Sequence, residues 1–441
     1  MPAPESYPLR ILHISDLHER GPREPAPWRR RRVLGAAWEQ NLDALLASGP
    51  IDLLCFTGDA ADWAKPEEYA AAGEFFLALL DKLALSAERL FLVPGNHDID
   101  RSLNPQAWEK LRNSFREHDA FLLARWLQGS APPPPGVEPS WLELTLQRQA
   151  AYQNWLVALG KADLRPEHHA HGKLGYRISL NLPALPFPVQ IIGLDSAWLA
   201  GDDHDAQKLC FTDEQIMRHA CDHSGAKLPG LRLALCHHPL WDMADHALAR
   251  NLLAEHVDIL LRGHLHAATQ ESFHDPDRTL LELAAGCLYE GHRADQYPNS
   301  CQLIQLNLDR EGRILSTDVR YRSWSKSGGH WHNDDSRYQN SLLGRTSGEL
   351  VQPKVSALAL DQSKTIRKYD GKDKLLLKNR LDKDWRSLAD YLGIPPADQN
   401  RFEKGYEAGD IWVWLEIREK LHLLPESLSA IGRLDLAQHY L

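Results

Sequence analysis

Five short groups of residues hold the side chains that could do chemistry in this sequence. They are Asp16-Leu17-His18, Gly58-Asp59, Gly95-Asn96-His97-Asp98, Cys236-His237-His238-Pro239 and Gly263-His264-Leu265-His266. Together they offer Asp, Asn and His, the oxygen and nitrogen donors that suit divalent metal ions. No cysteine is among the donors, which argues against a structural zinc cluster and for a catalytic site. Singly, each group is a weak signal. An Asp-x-His or Gly-His-x-His is more often a turn or a capped strand end, and Gly-Asn-His-Asp suits a tight turn. All five in one chain, each behind an apolar run, are hard to obtain by chance.

Those apolar runs are the elements that must position the groups. Residues 9–15, 51–57 and 90–93 read as buried strands, with helices over about 30–47 and 67–83 between them. The first hundred residues are therefore β-α-β-α-β, with loops at the C-terminal strand ends, the edge where open α/β sheets bind ligands. Residues 101–170 break the rhythm. Two helices, near 105–127 and 141–159, flank the proline tract 132–135, and the segment reads as an inserted helical cap whose aromatic residues pack rather than bind. Strand-like runs return at 189–194, 231–236, 258–261, 280–285 and 301–308 and suit a second sheet. Residues 323–350 turn polar and read as a linker. Residues 351–441 read as helices over 374–381, 384–392, 396–405, 411–421 and 425–441, the last broken near Gly432.

The five groups resemble the motifs of the calcineurin-like metallophosphoesterase superfamily, in the pattern DxH, GD, GNH(D/E), HxP and GHxH, over about residues 9–322. The resemblance implies an α/β fold: a four-layer αββα sandwich over 1–322, with a dinuclear metal centre at one sheet edge. It places Asp16, His18 and His266 on the first metal, Asn96, His237 and His264 on the second, and Asp59 between them. His237 rather than His238 is the expected ligand because the family's ligand stands two residues before the proline. The cofactors implied are two divalent transition-metal ions, manganese foremost, with iron, nickel, cobalt or zinc also compatible with these donors. A metal-bridging hydroxide would attack phosphorus in line with the leaving oxygen. His97 would act as general acid or transition-state stabiliser, and Asp98 would orient its imidazole. Asp62 would support the bridging Asp59, or else simply begin a helix. Arg29, Arg30, Arg31 and Arg32, just past the first loop, would contact a phosphodiester, with a solvated charge run as the alternative.

The last seventy residues carry a second resemblance. Asp384-Trp385, Leu388-Ala389, Leu392-Gly393-Ile394, then Trp412, Trp414 and Leu415, and finally Leu428, Ile431, Leu434, Leu436 and Leu441 resemble a death-like six-helix bundle. Bacterial effector-associated domains of that kind are appended to defence and signalling enzymes. The resemblance implies a protein partner bound through 351–441; the alternative is a generic bundle packed on the catalytic domain. A run over 354–383 carries nine Lys/Arg against four Asp/Glu and reads as a solvated face or a contact for an acidic partner or nucleic acid.

Composition bounds the rest. The chain has 441 residues, 50 Lys+Arg and 60 Asp+Glu, a net charge of −10, which excludes a general nucleic-acid coat while allowing a local basic groove. No run reaches the roughly 18 apolar residues of a membrane span, and residues 1–8 lack a secretion signal, so no membrane contact and a cytoplasmic location are expected. Six cysteines without CxxC spacing read as reduced thiols. His168, His169 and His171 fall at no expected motif position and read as an exposed loop. The expected reaction is hydrolysis of a phosphodiester, a cyclic nucleotide or nucleic acid. The competing reading, an inactive scaffold acting through its helical tail, predicts missing ligands, and all seven are present.

Overall fold

The structure is a computed structural model that describes residues 6–127, 129–168, 173–201, 204–275, 278–291, 298–334, 345–348 and most of 371–440. The chain divides into two compact units, residues 1–352 and 353–441.

The first unit is built on two mixed sheets. One has the order β12-β11-β10-β1-β2-β3, from β1 (Tyr7–Ile14), β2 (Leu53–Phe56), β3 (Leu90–Leu92), β10 (Ser300–Leu308), β11 (Ile314–Ser325) and β12 (His330–Asn333), with β13 (Arg345–Gly348) also on β11. The other has the order β4-β5-β6-β7-β9-β8, from β4 (Tyr176–Leu180), β5 (Val189–Gly193), β6 (Leu231–Leu235), β7 (Ile259–Arg262), β8 (Thr269–Asp275) and β9 (Arg278–Ala284). β1, β2 and β3 run parallel, with Ile11 opposite Leu53 and Leu54 opposite Leu90. So do β5, β6, β7 and β9.

Side chains alternate across a strand, and here the alternation sorts two cores. Leu231, Leu233 and Leu235 of β6 join Ile11, Leu53 and Ile304 between the sheets. Ala234 and Cys236 face the other way, into a core with Ile216 of helix α8 (Asp213–Ala220) and Leu253 of α9 (His246–His256). The outer face of the first sheet is covered by α1 (Pro27–Leu34), α2 (Ala36–Leu46) and α3 (Pro66–Leu83), through Val33, Leu42 and Phe76. The result is helix, sheet, sheet, helix. Each fully buried Leu of these layers contributes roughly 1.5–3 kcal/mol.

Several elements differ from expectation. The helix over 30–47 is two helices, broken at Gly35, where a Cβ would stand 2.4 Å from the Arg31 carbonyl oxygen. The inserted segment is four helices: α4 (Pro105–Glu117), α5 (Ala120–Leu127), α6 (Pro139–Leu146) and α7 (Ala150–Ala158). They do not form one cap, since α7 packs Tyr152 and Trp155 into the first core while α4 to α6 pack Leu111, Trp126 and Leu142 into the second. β10 joins the first sheet, antiparallel to β1, rather than the second. The stretch read as a linker holds the end of β11 and the strands β12 and β13; Trp331 of β12 is buried against Trp38 and Trp324, an apolar anchor that a polar average hides.

The second unit contains α10 (Gly371–Arg380), α11 (Trp385–Tyr391), α12 (Glu407–Ile417), α13 (Leu424–Ala430) and α14 (Leu434–Tyr440) around Leu377, Leu388, Ile411, Trp412, Leu428 and Leu436. Most of the helix expected over 396–405, and most of the basic run 354–383, lie outside the described residues.

Candidate metal centre

Each candidate donor stands in the loop after a strand: Asp16 and His18 after β1, Asp59 after β2, Asn96 after β3, His237 after β6, and His264 and His266 after β7. All these loops leave the C-terminal ends of parallel strands, so they meet at one edge of the sandwich. The backbone is bent hard to aim them. Ten non-glycine residues have positive φ among the described residues, and five are donors: Asp16, His18, Asp59, His264 and His266. Such conformations are costly for residues other than glycine and persist where the surroundings enforce them, most often at functional sites. The neighbouring glycines permit the crowding. A Cβ on Gly95 would lie 2.1 Å from Asp59 Oδ1, and one on Gly263 would lie 1.9 Å from Ser15 Oγ.

The seven side chains form two groups that share Asp59. In one, His266 Nε2 is 3.2 Å from Asp16 Oδ1 and 3.2 Å from His18 Nε2. In the other, His237 Nε2 is 3.0 Å from Asn96 Oδ1 and 3.2 Å from His264 Nδ1, which is itself 3.1 Å from Asn96 Oδ1. Asp59 Oδ2 reaches both, 3.2 Å from His237 Nε2 and 4.0 Å from His18 Nε2. Donors held about 2.0–2.2 Å from a cation stand about 3.0–3.5 Å from one another, so these spacings are those of coordination shells.

The far sides of the rings support the same reading. His237 Nδ1 is 2.7 Å from the Thr57 carbonyl oxygen, and His266 Nδ1 is 2.6 Å from Glu290 Oε2. A carbonyl or carboxylate only accepts, so in each neutral ring the proton sits on Nδ1 and Nε2 turns a lone pair inward. Those lone pairs face carboxylate, amide and imidazole acceptors. Asp16 Oδ1 is buried and has no hydrogen bond. Inward-facing lone pairs around two carboxylates, with protons held outside, fit a pair of divalent cations. The ionisation pattern shows two carboxylates held as anions by the imidazoles that face them. Burial raises the Asp16 carboxyl, but His266 and His237 outweigh it and bring it to about 2. Asp59 is likewise held well below its usual range, chiefly by His237, against burial. Burial lowers His237 and His266, but Asp59 lifts the first to about 9, and Asp16 and Glu290 lift the second to about 10. Burial, aided by neighbouring histidines and opposed by Asp59 and Asp16, drives His18 down to about 4 and His264 to about 3.

The other expected residues fare differently. His97 borders the donors, its ring 4.8 Å from that of His18, with its backbone N–H donating to Asp59 Oδ1 at 2.8 Å. Asp98 does not orient it. Its buried carboxylate accepts from the backbone N–H groups of Asp59, Ala60, Ala61 and Gly95 and from the Tyr69 hydroxyl, fastening the Asp59 loop. His97 is oriented instead by the Asp62 carbonyl oxygen, which accepts from Nδ1 at 2.8 Å. The Asp62 carboxylate lies 3.8 Å from His18 Nδ1 and 3.4 Å from Arg20 Nε. Arg29 to Arg32 make no common patch, because successive residues on α1 point about 100° apart. Arg30 pairs with Glu19 at 2.6 Å, Arg32 reaches the Lys326 carbonyl oxygen, Arg29 lies over Trp28 and Arg31 is exposed. His238 does not point elsewhere as its alternation with His237 suggests: its Nδ1 is 3.0 Å from Ser196 Oγ, and its ring lies 4.5 Å from that of His264. His168 is exposed, and His169 and His171 lie outside the described residues. The six cysteines are free and buried.

Glu290 and the Thr57 carbonyl escaped the sequence reading. Nothing in the spacing of Cys287-Leu288-Tyr289-Glu290 announces a carboxylate behind His266, and a carbonyl oxygen leaves no mark in a sequence.

A family model described as calcineurin-like phosphoesterase matches residues 9–268, and one described as bacterial death-like domain 3 matches residues 371–441. A search of curated proteins finds no match. Similar solved structures include sulfate thiohydrolase SoxB from Thermus thermophilus, 13% identical with TM-score 0.40, covering 76% of this chain and 59% of that one. NAD nucleotidase from Haemophilus influenzae is 13% identical with TM-score 0.35, covering 76% and 55%. The calcineurin-like phosphoesterase YfkN from Bacillus subtilis is 14% identical with TM-score 0.37, covering 72% and 91%. No helix among the described residues is long and apolar enough to cross a membrane.

Proposed function

The chain belongs to the calcineurin-like phosphoesterase family and ends in a bacterial death-like domain, and from that premise we propose that it is a phosphodiesterase using two divalent cations. Asp16, His18 and His266 would hold one cation, Asn96, His237 and His264 the other, and Asp59 would serve both. Manganese is the preferred ion. The substrate is a cyclic nucleotide or nucleic acid, and the death-like domain recruits the enzyme to a protein partner in a bacterial defence or signalling system. One observation carries the reading: a single buried carboxylate oxygen, Asp59 Oδ2, faces His237 on one side and His18 on the other.

Bound there, a cation pair supplies Lewis acidity, which makes a water nucleophilic at neutral pH and neutralises charge on the phosphate oxygens. The chain's own residues do the rest. The positive-φ loops fix the donors before substrate arrives, so little reorganisation is needed in the reaction. His97 donates Nδ1–H to the Asp62 carbonyl, so Nε2 carries a proton only in the imidazolium form; that form gives the Nε2 proton to the departing oxygen and is left as the neutral ring.

A panel assay on the manganese-loaded full chain tests this. It compares cyclic mononucleotides, single- and double-stranded DNA, RNA, a chromogenic diester and its monoester. Faster turnover of a diester than of the monoester is expected. Turnover of the monoester alone would reject the diester assignment, and no turnover of any phosphoester by a metal-loaded chain would favour the scaffold.

A further inference from the structure

We propose that the cavity beside His97 is a nucleoside subsite and that Trp63 is its base-stacking wall. The inference rests on the phosphoesterase reading above and names the group carried by the departing oxygen. The cavity measures about 340 Å³, near the lower end of the roughly 300–1,000 Å³ usual for small-molecule sites. That size suits one nucleoside. His97 lines it, which places its occupant next to the proton donor, and Trp63 and Ile99 supply its apolar area.

Trp63 is 59% exposed, so it is not there to fill a core. It is nevertheless held. Its backbone N–H donates to Glu68 Oε2 at 2.9 Å, and the Arg23 guanidinium carbon stands 3.9 Å from the ring centroid. Arg23 is itself fixed by Glu68 and by Asp62 at 3.6 Å. The cation covers one face of the indole, and the exposed area is left on the rest of the ring. A fixed, open aromatic face is what a planar base stacks on, with little dependence on which base it is. The remaining polar lining mixes donors and acceptors, with Asp62, Arg101 and Ser102 beside Lys65 and Asp100. Lys65 Nζ is paired with Asp100 Oδ2 at 2.7 Å, so that part of the cavity offers a donor and an acceptor with their charges cancelled.

Calorimetry on the manganese-loaded full chain tests the inference with two non-hydrolysable probes, methylphosphonate and a nucleoside methylenephosphonate. The nucleoside form is expected to bind about 5- to 100-fold tighter, the worth of one stacked base. Trp63→Ala should bring that ratio close to one, and Trp63→Phe should retain most of it. Equal affinities in the parent chain, or a ratio that survives Trp63→Ala, would overturn the proposal. A variant that weakens both probes alike would do the same, because the indole would then be structural. If methylphosphonate itself does not bind, the phosphoesterase reading fails first, and the subsite goes with it.

Discussion

His97 stands apart from the donors in what its side chain can do, because its Nδ1 is already committed to the Asp62 carbonyl. His97→Ala should therefore retain two metal ions per chain and lose about 100-fold or more in turnover of a diester with an alkoxide leaving group. The loss should shrink for a nitrophenolate, which needs no proton; equal losses on both substrates would remove the proton-donor role. Glu290 acts one bond further out, behind His266. Glu290→Gln should weaken metal binding by about 10- to 100-fold, the usual effect of disturbing a ligand's support, and titration with manganese would show it. Unchanged affinity would mean that His266 is oriented without it. At this scale the seven candidate donors were legible in the sequence, because they fall in five short motifs, Asp16 with His18 and His264 with His266 two residues apart and the other three singly. The partners of those donors were not. The expectation that Asp98 serves His97 came from adjacency, yet on the short turn they share, Asp98 points inward to four backbone N–H groups and His97 outward to Asp62.

Among the elements, the loops after β1 and β2 form one knot. The backbone N–H groups of Leu17 and His18 both donate to the Asp59 carbonyl oxygen, and the Asp98 carboxylate ties the Asp59 loop to the one after β3. Burial, with Asp59 nearby, raises the Asp98 carboxyl to about 6 while its backbone donors pull it down. Asp98→Ala would leave five buried donors without an acceptor and should cost about 3 kcal/mol or more of stability in urea unfolding. A loss below about 1 kcal/mol would show that the knot holds without it. The strands and helices of the first hundred residues could be read from their apolar periodicity. The break at Gly35 could not, since the apolar stripe continues across it. Nor could the sheet that β10 joins, because an isolated apolar strand does not say which neighbour it pairs with.

At the scale of the molecule, the first unit contains every candidate donor together with both layers of sheet and their covering helices, and the second is a helical bundle with its own core. A chain ending at residue 352 should fold, bind two metals and hydrolyse a small chromogenic diester within about threefold of the full chain, as independently folding domains do. Collapse of that activity in a folded truncation would contradict the separation. The two-part organisation was visible in the change from strand to helix periodicity, and the expected start of the second part at 351 lies two residues from the division; the end of the first part at 322 was not legible, because buried Trp324 and Trp331 draw the polar stretch into the first unit. The central claim is that seven side chains converge on two cations around Asp59, and elemental analysis of the manganese-loaded, desalted full chain tests it most directly. Two ions per chain, falling to one or none in a folded Asp59→Asn variant, is the predicted result. Less than one ion in the folded parent chain, or two ions that persist without the Asp59 carboxylate, would contradict it.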